Sequence, residues 1–395
     1  MSRARLALVT HLWPLPGAPH AGKPIYETAL RLGNHVELEV FCPVPRYPRL
    51  RWLQPSRYTY HRADPAQAPP GLKTHYLEYG TLPWIGRAFN GQSTQRVLEP
   101  ALSEFRPDLV LSYWLYPTSW AAVRAGARLR LPVIVGSRGS DLHGTPDMLV
   151  RRMTASTLRS ANAVLAVTED LRRTAIRLGS DPARTHSIPN GCDPALFHPR
   201  ERAEARRALG LPACAKILVQ VGHLIPSKGV FDLLTAFGTL APDDPNLLLV
   251  MVGEGPAEAA IRERARASGL TQQLLLPGAR PASEIALWLN AADVVCLASH
   301  GEGCPNVVIE ALCCGRPVVG TDVGGIPELV GEGCGLLVPP RNPRALAEAI
   351  SRTLEFAWNP GAISARFSRT WDDVARETLA ICLRCLDQPQ PQRVR

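Results

Sequence analysis

Two carboxylates, Glu302 and Glu310, bracket the stretch Ser-His-Gly-Glu-Gly-Cys-Pro-Asn-Val-Val-Ile-Glu at residues 299–310. The pattern is a loop carrying Gly301 and Gly303 that turns into a helix. The run before it, Asp293-Val294-Val295-Cys296-Leu297-Ala298, reads as a short buried strand. Strand, glycine loop and helix in that order place a ligand at the carboxyl end of a parallel sheet. Pro305 suits the first helical turn, where its missing N–H would be unpaired anyway. The first-turn amides of Asn306 and Val307 can then face an anion such as a pyrophosphate. Glu302 would sit in the loop, near whatever that phosphate carries. Glu310, about one turn into the helix, can accept hydroxyl hydrogen bonds of the kind a ribose offers. On spacing alone, two surface glutamates around a turn remain an alternative.

The seven residues between Glu302 and Glu310 resemble the E-x7-E motif of retaining nucleotide-sugar glycosyltransferases. The continuation from Glu310 through Gly315-Arg316-Pro317-Val318-Val319-Gly320-Thr321-Asp322-Val323-Gly324-Gly325-Ile326-Pro327-Glu328 extends the match. The chain is thereby similar to the family 4 transferases, also called glycosyl transferases group 1, over nearly its whole length. The resemblance implies an α/β protein of GT-B fold, two Rossmann-like doubly wound parallel-sheet domains facing across a cleft. It also implies a sugar moved from a nucleotide diphosphate, UDP or GDP ahead of others, to a glycan or lipid-linked acceptor. The nucleotide sugar is a co-substrate, so no cofactor and no metal are expected, and there is no Asp-x-Asp motif to hold one.

The same resemblance assigns further residues. Gly222-His223-Leu224-Ile225-Pro226-Ser227-Lys228-Gly229 matches the segment that grips the pyrophosphate with an Arg and a Lys. Lys228 is that Lys, while His223 stands where Arg is usual. A neutral imidazole offers one donor and no fixed charge, whereas Arg is a permanent bidentate cation. Gly253, Gly303, Cys304, Asn306 and Val307 are expected around the donor, with Arg280 near the base. In the first half, Arg138 of Ser137-Arg138-Gly139-Ser140-Asp141 replaces a common His that faces donor and acceptor. Arg138 stays protonated and cannot be a general base, but it can offset charge on phosphates or an acidic acceptor. Asp141 is a catalytic candidate or a helix-cap carboxylate. In the Gly17–Gly22 loop only Gly22 aligns with the family's phosphate-side glycines. Tyr113, Trp114 and Tyr116 follow a strand end and either stack on sugars or fill the core. A sugar-nucleotide epimerase of the same architecture is an alternative, and His223 and Arg138 keep open a binding protein without turnover.

These groups need a scaffold, and the chain is long enough for two domains. Its 395 residues suit two cores of about 150–200 residues each. Hydrophobic residues at 46% and charged residues at 20% fit a globular protein. No apolar run approaches the ~18 residues of a membrane span, and the short apolar N-terminus reads as a first strand rather than a signal peptide. The expectation is a cytoplasmic protein. The ten cysteines show no metal spacing and read as reduced, small hydrophobes.

The net charge of +9 is uneven, with 25 Lys+Arg against 14 Asp+Glu in residues 1–200 and 19 against 21 thereafter. The first half therefore suits an anionic partner, a lipid phosphate, an acidic glycan or the inner face of a membrane, rather than nucleic acid. Plain solubility is the alternative. Residues Pro43–Pro70, rich in Pro, Arg and aromatics, are expected to form a long surface loop that could touch a membrane. Short apolar runs predict strands at Leu6–Thr10, Val36–Phe41, Leu109–Ser112, Val133–Val135, Ala163–Val167 and Thr185–Ile188. In the second half they fall at Lys216–Val221, Leu247–Val252, Leu274–Pro277, Val294–Ala298 and Val318–Thr321. Domains are expected at 1–200 and 201–366, with a helix at 367–387 that returns to the first domain and a disordered tail at 388–395. Pro189-Asn190-Gly191-Cys192-Asp193 resembles the family signature before the interdomain linker.

Overall fold

A computed structural model describes residues 3–14, 21–48, 69–82, 85–143 and 147–387. Most of the basic, aromatic segment, Gly17 and the tail from 388 lie outside the described residues. The chain forms two compact units, residues 1–190 with 371–395, and residues 191–370.

The first unit holds seven parallel strands. They are β1 (Arg5–Val9), β2 (Glu37–Arg46), β3 (Lys73–Gly80), β4 (Leu109–Tyr113), β5 (Val133–Ser137), β6 (Ala163–Ala166) and β7 (Thr185–Ser187), in the spatial order β3-β2-β1-β4-β5-β6-β7. Side chains alternate between the two faces of the sheet. Leu6 and Leu8 of β1 join one core with Leu109 and Leu111, and Ala7 and Val9 join the other with Val110. The second unit holds β8 (Lys216–Val221), β9 (Leu247–Val252), β10 (Leu274–Gly278), β11 (Val294–Leu297), β12 (Val318–Thr321) and β13 (Gly335–Val338), ordered β10-β9-β8-β11-β12-β13 and again all parallel. Ile217, Val219, Val295 and Leu297 face one core, while Leu218, Val294 and Cys296 face the other. Both are doubly wound Rossmann-like sheets, and each reverses strand order once, between β1 and β4 and between β8 and β11.

Three expectations change. The surface loop does not begin at Pro43, because β2 runs on to Arg46 beside β3. Odd-numbered residues of β2 bond toward β1, as Glu37 N to Ala4 O and Thr10 N to Phe41 O show. Pro43 and Pro45 therefore lack their N–H on a side where β1 has already ended at Val9, which is where a strand tolerates proline. Strands β3 and β13, at the sheet edges, had no counterpart among the predicted runs. The units also part at Asn190, not at 200. Phe197 is buried in the second core and Arg200 N donates to Asn290 Oδ1 at 2.8 Å, so residues 191–200 belong to the second unit.

The returning helix spans Trp371–Asp387 rather than starting at 367. Phe367 still packs on the second unit's core, whereas Trp371, Val374, Ala375, Ile381 and Cys382 are buried in the first unit's core with Leu6 and Leu109.

Candidate active site

A doubly wound sheet offers its ligand crevice beyond the carboxyl ends of the strands, where the strand order reverses. In the second unit that point lies between the loops that follow β8 and β11. The β8 loop carries Lys228 and the β11 loop carries Glu302, and the two side chains meet, Lys228 Nζ donating to Glu302 Oε1 at 2.6 Å. Ser299 Oγ donates to the same oxygen at 2.7 Å. The Ser299 carbonyl in turn accepts from Thr321 Oγ1, at the end of β12, at 2.6 Å. The Glu302 side chain is 9% exposed and Lys228 29%, so the carboxylate is held in place while the ammonium stays reachable. The pair turns on residues seventy-four positions apart.

The backbone around the pair is stitched loop to loop. His300 N donates to Ser227 O at 2.9 Å, and His300 Nε2 meets Asp232 Oδ2 at 2.7 Å. Gly325 N donates to Gly303 O at 3.0 Å. Gly324 has φ +54°, and a Cβ there would overlap the Glu302 carbonyl oxygen. Only glycine allows this approach without strain, so Gly324 sets where Glu302 sits. The helix Asn306–Cys313 starts immediately beyond, with Pro305 in the N-cap position and no side chain capping it. Its positive end and first-turn amides are suited to phosphate oxygens.

The other predicted donor residues distribute as follows. His223 is exposed and its ring makes no hydrogen bond among the described residues, beside Lys228 in the β8 loop. Gly253 N donates to Gly278 O at 2.9 Å, and Gly222 N to Val252 O at 2.9 Å, which joins the β8, β9 and β10 loops into one rim. Cys304 and Val307 turn their side chains onto the hydrophobic core, so what they can offer a ligand is backbone. Glu310 lies one turn into the helix and half-buried, close enough to Cys192 to push that thiol upward after its hydrogen bond to Cys313 and burial have done so. Arg280 is drawn to Glu284 at 3.6 Å, its neighbour one helical turn on, and is exposed. All ten cysteines are free thiols.

In the first unit the reversal lies between β1 and β4, and two residues meet there that the sequence reading did not pair. His11, after β1, places its ring edge-on to Trp114, after β4, with centroids 5.0 Å apart, and its Nδ1 is 2.8 Å from Thr118 Oγ1. Burial pushes the His11 imidazole down to about 4. His11 thus stands neutral and able to hydrogen-bond through its second ring nitrogen. Its position just past a strand end was the one available signal. Trp114 adopts φ +77°, an uncommon conformation for a bulky residue.

Arg138 follows β5. Its guanidinium lies 4.6 Å over the Tyr113 ring and its Nη1 donates to Asn190 Oδ1 at 2.7 Å, while Nε is buried without a partner. Of the two parts open to Asp141, its contacts are those of a carboxylate that binds nearby loop donors. Its Oδ1 accepts from Ser137 Oγ at 2.9 Å, Arg138 N at 3.1 Å and Gly139 N at 3.0 Å, and its Oδ2 accepts from Leu115 N at 3.3 Å. Burial pushes its carboxyl upward while these four donors oppose the shift. A carboxylate so engaged fixes the β5 loop against the β4 loop and positions Arg138. Tyr113 and Tyr116 are buried and belong to the core, leaving Trp114 as the aromatic within reach of a ligand. Gly22 caps the helix Lys23–Leu32 with φ +65°, and a Cβ there would overlap the Leu12 carbonyl.

Two Rossmann-like units, with a lysine–glutamate pair at the switch point of one just before a helix N-terminus, give an α/β protein of GT-B architecture. The comparisons sharpen this. Residues 201–359 match the family "Glycosyl transferases group 1" and residues 8–191 match "Glycosyl transferase 4-like domain". The chain is 30% identical over 374 residues to the putative teichuronic acid biosynthesis glycosyltransferase TuaC of Bacillus subtilis, covering 90% of this chain and 91% of that one. In fold it is similar to sucrose-phosphate synthase of Thermosynechococcus elongatus, at TM-score 0.75 and 22% identity over 97% of this chain and 99% of the other. It is equally similar to Anabaena HepE in complex with UDP, at TM-score 0.75 and 18% identity over 96% and 100%. The chain belongs to the group 1 glycosyltransferases.

Proposed function

We propose that this glycosyltransferase is a retaining enzyme that moves a hexose-type sugar from a UDP- or GDP-sugar to a glycan or lipid-linked acceptor. The observation that carries the reading is the Lys228–Glu302 contact at 2.6 Å at the switch point of the second unit, directly before an uncapped helix N-terminus. The diphosphate sits against the first turn of Asn306–Cys313 and takes Lys228 as its cation. Those charges strengthen their hold as the leaving group gains charge, which is where a contact accelerates the reaction. The protein's own cation and dipole thus offset the phosphate charge. Glu302, held by Ser299, accepts hydrogen bonds from the donor sugar, and Glu310 those of the ribose. The bond from the anomeric carbon to the phosphate oxygen breaks, the acceptor oxygen bonds to the same face of that carbon, and the departing phosphate oxygen takes the acceptor proton.

The proposal extends to the partners. HepE is described with UDP, with UDP and glucose, and with UDP-glucose, which supports a uridine nucleotide as the first donor to try. The first unit, with 28 Lys+Arg against 17 Asp+Glu, would draw an anionic acceptor, or an anionic membrane that carries one. Among the described residues no helix is long and apolar enough to cross a membrane. The test is release of nucleotide diphosphate from a panel of sugar donors with and without acceptor, followed by Glu302→Gln and Lys228→Ala. Each substitution is expected to lower turnover by at least about tenfold with the fold retained. Wild-type turnover in both variants defeats the reading, and sugar inversion without diphosphate release reassigns the protein as an epimerase.

A further inference from the structure

The second unit carries another concentration of charge at the opposite end of its sheet. Arg316 leads into β12, Asp293 into β11, and Ala213 lies just before β8, so these residues collect at the amino ends of the strands. Arg316 and Ala213, with Arg200, Arg202, Arg206 and the exposed Glu201, border a cavity of about 660 Å³. Asp293 is fully committed. It pairs with Arg202 through Oδ1, and through Oδ2 it accepts from Arg206 Nη2 at 2.6 Å and Ile217 N at 2.7 Å. Arg206 is saturated as well, with Ala291 O on Nε and Ala213 O on Nη1.

Arg316 is the exception. It is 2% exposed, yet among the described residues its one hydrogen bond is Nη2 to Arg200 O at 3.1 Å, no carboxylate lies within ion-pair distance of it, and its Nε has no partner. A buried guanidinium without a counter-charge is costly. Burial first, and Arg202 and Arg206 beside it, push Arg316 down to about 10, against a weaker opposing pull from Cys314 and from Asp293, whose carboxylate is already shared by Arg202 and Arg206. Replacing the missing negative charge would remove that cost, and guanidiniums suit phosphate oxygens by geometry.

We propose that the cavity at the amino ends of β8, β11 and β12 is an anion site in which Arg316, Arg202 and Arg200 hold a phosphate group. It is separate from the donor site, which lies past the carboxyl ends of the same strands, and does not depend on the donor assignment. A free phosphate and a phosphate at the end of a lipid offer the same recognising chemistry, and the two arms of the test separate them.

The test is thermal unfolding of the full chain with inorganic phosphate replacing chloride at constant ionic strength. Sedimentation with phosphatidylcholine vesicles, with and without phosphatidic acid, tests the lipid source. In the first arm a Tm rise of about 3–5 °C is expected once phosphate is ~10-fold above its Kd. The rise should vanish in Arg316→Met and in the half-exposed variant Arg202→Gln, and should persist in Lys228→Ala. Should Arg316→Met fail to fold, Arg202→Gln alone decides. Vesicle binding that depends on phosphatidic acid and on Arg202 or Arg316 identifies the lipid source. A rise that survives in the arginine variants, or disappears in Lys228→Ala, assigns the anion to the donor site and overturns the proposal. So does the absence of any arginine-dependent effect in both arms.

Discussion

At the scale of single residues, the donor loop is defined as much by a glycine as by its charged groups. Gly324 has positive φ and is packed on the Glu302 carbonyl. Gly324→Ala therefore meets a backbone strain and a backbone clash together, and is expected to cost about 1–3 kcal/mol. Because the displaced atom belongs to Glu302, turnover should fall further than stability explains, a difference that urea titration beside kinetics would show. His223 offers the opposite opportunity. The exposed ring stands in the β8 loop without a hydrogen bond among the described residues, so His223→Arg adds a fixed, bidentate cation with nothing to displace. The donor KM is expected to fall about threefold to tenfold, worth ~1 kcal/mol; an unchanged KM places the diphosphate away from that loop. His11 has a pH signature. Its imidazole sits at about 4 in the fold against an ordinary 6.5, so between those values the unfolded chain binds a proton the fold refuses. Stability is full above pH 6.5 and is lost as pH falls toward 4, by at most about 3 kcal/mol. Chemical denaturation across that window should show a flatter profile for His11→Asn, and identical slopes would remove His11 as the cause.

At the scale of elements, the sequence declares the strands buried on both faces and hides two of the four edge strands, β3 and β13. Ile217–Val219 and Val294–Leu297 are continuous apolar runs because helices cover them above and below, so their positions are readable. Lys73–Gly80 begins with three polar residues, Lys73, Thr74 and His75, and carries Glu78 further on, so it has no apolar run to mark it, and Gly335–Val338 offers only three side chains after its glycine. Pro43 and Pro45 misdirect for a related reason. Proline normally argues against a strand, and only the register with β1 and β3 reveals that their missing N–H groups face the side on which β1 has already ended. The candidate site divides the same way. Lys228 and Glu302 were legible from their places after strands and from motif spacing. The His11–Trp114 contact and the four bonds that occupy Asp141 depend on which strands become neighbours, which no local pattern encodes. The terminal helix makes a prediction at this scale. Trp371 is 4% exposed within the first unit's core, so Trp371→Ala should cost that unit about 3–5 kcal/mol. UDP binding, if it resides wholly in the second unit, should persist at temperatures where the variant's first unit has already unfolded.

At the scale of the molecule, each unit has its own sheet and its own pair of cores, and charge is divided between them as unevenly as chemistry. The second unit, with 16 Lys+Arg against 18 Asp+Glu, holds every residue proposed to grip the donor diphosphate, so its affinity for a nucleotide rests on a few placed cations and amides rather than on a general positive field. Binding should then respond weakly to salt but strongly to Lys228. The donor's effect on stability should also be local, because a ligand stabilises the state that binds it by RT ln(1 + [L]/Kd) and that state is the folded second unit. Hydrogen exchange with and without UDP is the direct measurement. At ~100 Kd the gain is about 2.7 kcal/mol, which would slow amide exchange by roughly a hundredfold wherever exchange requires opening of that unit. The largest protection is expected in residues 222–229 and 299–310, the two loops at the switch point, with the amides of β1 to β7 unchanged by comparison. Equal protection across both units would mean that the nucleotide is held by residues of the first unit as well, with Arg138 and the Gly22 loop the first candidates.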